Sequence, residues 1–103
     1  MIETDSIVTM AADESLRERA RGLFVDLCRH RYSYHFDWLG RPIIQFPQDI
    51  VAMQEIVWRT RPDVIVETGI AHGGSLVMSA SMLALLDLCD AAEAGTEIGR
   101  AHV

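Results

Sequence analysis

Between Asp63 and Leu88 the chain reads Asp63-Val-Ile-Val-Glu67, then Glu67-Thr-Gly-Ile-Ala-His-Gly-Gly-Ser75, then a nearly unbroken apolar tract, and this order constrains the fold most. The first piece is short, β-branched and apolar on both faces, as in a strand of a parallel sheet covered on both sides. Ser75 to Leu88 is apolar nearly all round through Leu76, Val77, Met82, Leu83, Leu85, Leu86 and Leu88. It predicts a helix sandwiched between layers rather than exposed. Nothing polar is read as interrupting its Leu- and Met-rich face at ligand-like spacing, so that face is assigned to the core.

Upstream, Met1 to Ala12 is a polar start expected to fray. Ser15 and Glu18 have the S-x-x-E form of a capping box, and Leu16, Ala20, Leu23, Phe24 and Leu27 then follow one helical face. From Arg31 to Pro47 the period disappears while Tyr32, Tyr34, Phe36 and Trp38 alternate with polar residues, which predicts an ordered loop covering a core edge or a pocket. Pro47 suits the first turn of a second helix, with Asp49 near its positive end, Ile50, Met53, Val57 and Trp58 on one face, and Arg61-Pro62 as its stop. Helix, helix, strand, Gly-rich turn, helix is an α/β opening with an incomplete sheet, because a lone strand leaves its backbone groups unpaired.

The 103 residues, half of them apolar, suffice for one modest core and no second domain. A net charge of -6 without a basic cluster excludes a nucleic-acid surface. Cys28 and Cys89 stand at apolar helical positions without ligand spacing, which reads as buried reduced thiols and a cytoplasmic protein. The N-terminus lacks the basic start and apolar run of a signal peptide, and Leu76 to Leu86 is too short to cross a bilayer before Asp87. Ile98-Gly-Arg-Ala-His-Val103 equals the translation of a common sequencing-adapter sequence, so residues 97–103 are read as a non-native tail, following a domain segment at 13–96.

The chemistry lies in the turn. Gly69 permits a tight exit from the strand, Gly73 and Gly74 let backbone approach a ligand, and the helix N-terminus offers free N–H groups. Gly69 and Gly73 are four apart with Ala71 between them, so this is neither G-x-G-x-x-G nor a P-loop, and a nucleotide-binding oxidoreductase module is the weaker alternative. E-x-G-x-x-x-G-G is instead the form met in methyltransferases, where the loop wraps the methionine part of S-adenosylmethionine and an acidic residue, here Glu67, faces its ammonium group. The competing reading makes the glycines a plain turn and Glu67 a solvated strand end. His72 is a candidate general base, against the commoner solvent-facing turn histidine.

Other polar residues carry less. His35-Phe36-Asp37 has the H-x-D form of iron oxygenases, but the strands to complete such a site are missing from the pattern. Arg41 is a candidate to pair with a carboxylate or stack on Trp38, and Gln45, Gln48 and Asp49 to line a cofactor cleft. The plainer reading is that all four anchor the loop.

Tyr32-Ser-Tyr-His-Phe-Asp-Trp-Leu-Gly-Arg-Pro-Ile-Ile-Gln45, Pro47-Gln-Asp49 and Val66-Glu-Thr-Gly-Ile-Ala-His-Gly-Gly-Ser75 together resemble the cephalosporin hydroxylase family, which includes the rhamnosyl O-methyltransferases. The resemblance runs from about Tyr32 to Asp90. It implies the N-terminal part of a Rossmann-like, S-adenosylmethionine-dependent methyltransferase acting on a hydroxyl of a natural product or glycolipid, often magnesium-assisted and homo-oligomeric. The matching cofactor positions are Glu67, Thr68, Gly69, Ala71, His72, Gly73, Gly74 and Ser75. The family's later ribose-binding and metal-binding carboxylates have no counterpart, so a second expectation is an inactive fragment that binds nothing alone.

Overall fold

A computed structural model describes residues 3–95, and residues 97–103 lie outside the described part. The chain divides into two compact units that meet at Tyr32 and Ser33.

The first unit holds two helices, α1 (Thr4–Ala12) and α2 (Glu14–Arg29). The start expected to fray is helical: Asp5 stands in the first turn, where a carboxylate offsets the helix dipole, and the Thr9 hydroxyl donates to the Asp5 carbonyl at 2.8 Å. α2 begins one residue before the predicted capping box, because Asp13 takes the N-cap and accepts from the Leu16 N–H at 3.0 Å. Asp caps as well as Ser, and it arrives first in the chain. Glu18 pairs with Arg21 instead of reaching back. The predicted buried stripe is corrected, since α2 has no buried residue: Leu16 and Leu27 are half-buried, while Ala20, Leu23 and Phe24 are exposed. Periodicity marks an apolar face without supplying what covers it. A Cβ at Gly22, inside α2, meets nothing within 4 Å. Gly22→Ala is therefore expected to stabilise α2 by about 0.5–1 kcal/mol. Thermal loss of the 222 nm ellipticity checks this, and an unchanged or lower midpoint contradicts it.

A 3₁₀ turn at Tyr32–Tyr34 spans the boundary, and the second unit then forms an antiparallel hairpin of β1 (Phe36–Trp38) and β2 (Arg41–Ile43). Phe36 faces Ile43 and Trp38 faces Arg41 across the ladder. The predicted irregular loop is thus a hairpin. Its two-residue turn, Leu39-Gly40, has φ of 48° and 81°, the doubly positive geometry of a type I′ turn whose twist matches the strands.

α3 (Pro47–Thr60) has Pro47 in its first turn and Asp49 near its positive end, as the sequence indicates. Arg61 ends it at φ 47°, donating its N–H to the Val57 carbonyl, and its guanidinium lies over the Trp58 ring and pairs with Asp90. Of the predicted apolar face, Val57 is buried and Ile50 packs on the core, whereas Met53 and Trp58 stay largely exposed.

α4 (Gly74–Glu93) runs past the predicted apolar tract. Its 20 residues, with a mean hydropathy of 1.5 over its most apolar window, are long and apolar enough to cross a membrane by length and composition alone, a property that core helices of soluble proteins share. Met78, Met82 and Leu86 of this helix nevertheless form the core with Ile43 and Val57, and Phe36, Trp38, Ile50 and Ile65 pack around them. One side of α4 is covered and the opposite one is not, since Leu76, Ala80, Ala84 and Asp87 are exposed there. Cys28 and Cys89 are free but exposed rather than buried.

The segment from Asp63 to Glu67 is not a strand. The described residues contain one sheet, the β1–β2 hairpin, so this run has no ladder partner. Its burial alternates all the same: Val64 is 72% exposed and Val66 84%, while Ile65 and Glu67 are half-buried. One face of the run lies on the core and the other is bare. β-branched residues favour strands because they fit a pleated, half-buried surface, and that surface needs a neighbour absent here. Among the described residues the architecture is mixed α/β, with four α-helices and a two-stranded antiparallel sheet.

Candidate functional site

The site is built where the Asp63–Glu67 run meets the N-terminus of α4. Ser75, in the first turn of α4, donates its hydroxyl to Oε1 of Glu67, and Ser79, one turn on, donates to Oε2 at 2.8 Å. Residues four apart lie on one helical face, so the two serines hold the two carboxylate oxygens side by side. Hydrogen bonds to an ionised acceptor are among the stronger ones in proteins, and a carboxylate near a helix N-terminus also meets the positive end of the dipole. Glu67 is half-buried and doubly bonded, which overturns the reading of it as a solvated strand end.

Thr68, Gly69, Ile70, Ala71 and His72 follow as an exposed loop. Gly69, Ala71 and Gly73 have φ of 78°, 48° and 87°, and the Gly73 N–H closes the turn on the Ile70 carbonyl at 2.8 Å. Ala71 carries a Cβ in this left-handed region, a strain of about 1 kcal/mol. Gly73 is the N-cap of α4, and no side chain caps it. The first-turn N–H groups of a helix have no partner within it, so they remain donors at the base of the loop.

The two adjacent glycines serve different neighbours. Gly74 is buried against β2: a Cβ there would lie 2.7 Å from the Pro42 carbonyl carbon and 2.8 Å from Ile43 Cβ, and closer still to the Pro42 oxygen. Its small size lets the hairpin touch the helix, a packing role that the sequence reading did not assign to it. A Cβ at Gly73 would stand 3.7 Å from Nη1 of Arg41, so Arg41 lies beside the turn. The Gln45 backbone N–H donates to the Ser33 carbonyl at 3.0 Å, and Asp49 stands in the first turn of α3, whose N-cap Phe46 has no side-chain cap.

Sequence reasoning missed Ser79 and Ser81. Both interrupt the helix whose apolar face was read as carrying nothing polar at ligand-like spacing. Ser79 is 7% exposed and holds Glu67, while Ser81 accepts from Trp38 Nε1 at 3.2 Å and donates to the Val77 carbonyl. The available signal was Ser75-x-x-x-Ser79, two hydroxyls four apart on a helix that follows an acidic residue and a glycine turn. His72 is exposed in the turn, and no three His, Cys, Asp or Glu side chains converge as a metal cluster among the described residues.

Chemically, this is a fixed carboxylate with lone pairs left over, next to an open backbone loop and a helix N-terminus. A carboxylate so placed can accept further hydrogen bonds, those from a cationic group being the strongest. The profile of the rhamnosyl O-methyltransferase/CmcI family matches residues 30–100, and the chain belongs to that family of methyltransferases. The family implies a methyl donor of the S-adenosylmethionine type. No curated protein and no solved structure matches the chain.

Proposed function

We propose that the chain is part of a Rossmann-like O-methyltransferase that uses S-adenosylmethionine to methylate a hydroxyl of a glycolipid or other natural product. The carrying observation is Glu67, held by Ser75 and Ser79 at the start of the exposed glycine loop, in a chain of this family. The residues fit the donor: Glu67 meets its ammonium, while the backbone from Thr68 to His72, with its left-handed turns at Gly69 and Ala71, follows the methionine chain. Gly73 and Ser75 shape the helix N-terminus beneath, and Gly74 locks that terminus on the hairpin. The donor supplies an electrophilic methyl group on its sulfonium. His72 is the loop's one side chain suited to take the acceptor's proton, and its exposed position leaves it accessible.

The bare Val64 and Val66 face supports a sheet completed by further strands, the arrangement of a Rossmann-like domain. The acceptor proposed is a rhamnosylated lipid or a comparable hydroxyl compound, the compartment the cytoplasm, and the active form a homo-oligomer, with magnesium where the whole domain supplies carboxylates.

Methyl-labelled S-adenosylmethionine incubated with the full chain and rhamnosylated glycolipid acceptors tests the reading. Label is expected in a base-stable methyl ether. Label confined to base-labile esters, or no transfer to any hydroxyl acceptor, contradicts it.

A further inference from the structure

The Asp63–Glu67 run has no ladder hydrogen bonds among the described residues, so its backbone alone does not fix where Glu67 points. Ile65 sets the run on the core and the two serines set the carboxylate. Ser79 is the more telling of the pair. It is 7% exposed, it lies a full turn inside α4, and its hydroxyl bonds Oε2 of Glu67 at 2.8 Å. A free hydroxyl at such a site commonly folds back on the carbonyl one turn earlier, as Ser81 does to Val77. Ser79 spends its proton on Glu67 instead.

Building on the proposed use of S-adenosylmethionine, we infer that Ser79, together with Ser75, is a positioning residue that holds the Glu67 carboxylate in the orientation that receives the donor's ammonium group. Ser79 itself touches no ligand. A glutamate has three side-chain torsions, and pinning both of its oxygens removes that freedom before the ligand arrives, which is the general route by which a supporting hydrogen bond strengthens a site. Its effect falls on the amino-acid end of the ligand and not on the nucleoside end.

This selectivity separates positioning from mere structural support. The full chain and its Ser79→Ala, Ser79→Thr and Ser75→Ala variants are titrated calorimetrically with S-adenosylhomocysteine and with 5′-methylthioadenosine, which keeps the nucleoside and thioether but lacks the amino-acid group. Ser79→Ala is expected to weaken S-adenosylhomocysteine about tenfold and 5′-methylthioadenosine less than about twofold, because a hydrogen bond to a charged group is lost at one end only. Ser75→Ala should act in the same direction, and Ser79→Thr, which keeps the hydroxyl, should restore the ratio of the two affinities. A variant that partly unfolds lowers both affinities by the same factor and leaves the ratio intact, so folding losses do not mimic the effect. An unchanged ratio in Ser79→Ala with tight wild-type binding overturns the positioning role alone. Absence of binding by the wild-type chain overturns the proposed function, and this inference with it.

Discussion

Gly74→Ala is expected to abolish the cooperative unfolding of the second unit, or to lower its stability by about 3 kcal/mol or more. The added methyl would lie 2.7 Å from the Pro42 carbonyl carbon and 2.8 Å from Ile43 Cβ, and closer still to the Pro42 oxygen. These atoms are the backbone of β2 and the root of a side chain that is 1% exposed, so no flexible tip can swing aside. Overpacking a close-packed interior typically costs about 1–3 kcal/mol, and here the strain falls on backbone. A domain stable by about 5–15 kcal/mol loses a large part of its margin to such a change. Urea unfolding followed by Trp fluorescence checks it, since Trp38 packs on this core and Trp58 lies on α3. A midpoint within error of the wild type contradicts the close approach. The same substitution at Gly22 meets open space and is expected to stabilise, so the two alanines should move stability in opposite directions.

The second large effect is on binding. Glu67→Gln keeps the shape of the side chain and an oxygen that accepts a hydroxyl hydrogen bond, but it removes the charge. The affinity for S-adenosylmethionine is expected to fall by about tenfold to a hundredfold, the range that corresponds to one hydrogen bond between charged groups. The thermal midpoint should change little, because the glutamine oxygen accepts from one serine hydroxyl and its NH2 group can donate to the oxygen of the other. Wild-type affinity in Glu67→Gln would remove Glu67 from the site. A collapse of the melt would show that the carboxylate serves the fold.

How much of this was legible in the sequence depended on whether the signal was local. α3 was readable from end to end, because Pro47, Asp49 and Arg61-Pro62 punctuate it within a turn of where they act. The turn and the start of α4 were readable for the same reason, and the profile match to residues 30–100 agrees with the resemblance seen in the motifs. The hairpin was not readable. Its strands are three residues each, too short to show a period, and Leu39-Gly40 lacks the usual Asn-Gly or Asp-Gly signal even though it adopts the same doubly positive φ. The failure at Asp63–Glu67 is of another kind: the residues prefer a sheet, but a preference for a pleated surface has no outlet without a neighbouring strand.

The site shows the same division. Glu67 and the glycines announced themselves by type and spacing, whereas the partner of Gly74 is a hairpin remote in sequence. Ser79 looked like a small filler in an apolar helix. Its role emerges only once Glu67 is placed against that helix.

The central claim is most directly tested by isothermal titration of the full chain with S-adenosylmethionine, alongside Gly69→Val, in which a β-branched residue replaces glycine at φ 78°. Saturable heat from the wild type, lost in Gly69→Val while its helical signal persists, is the predicted result. No heat from the wild type, or the same heat from both proteins, would contradict the claim that this turn is the donor site.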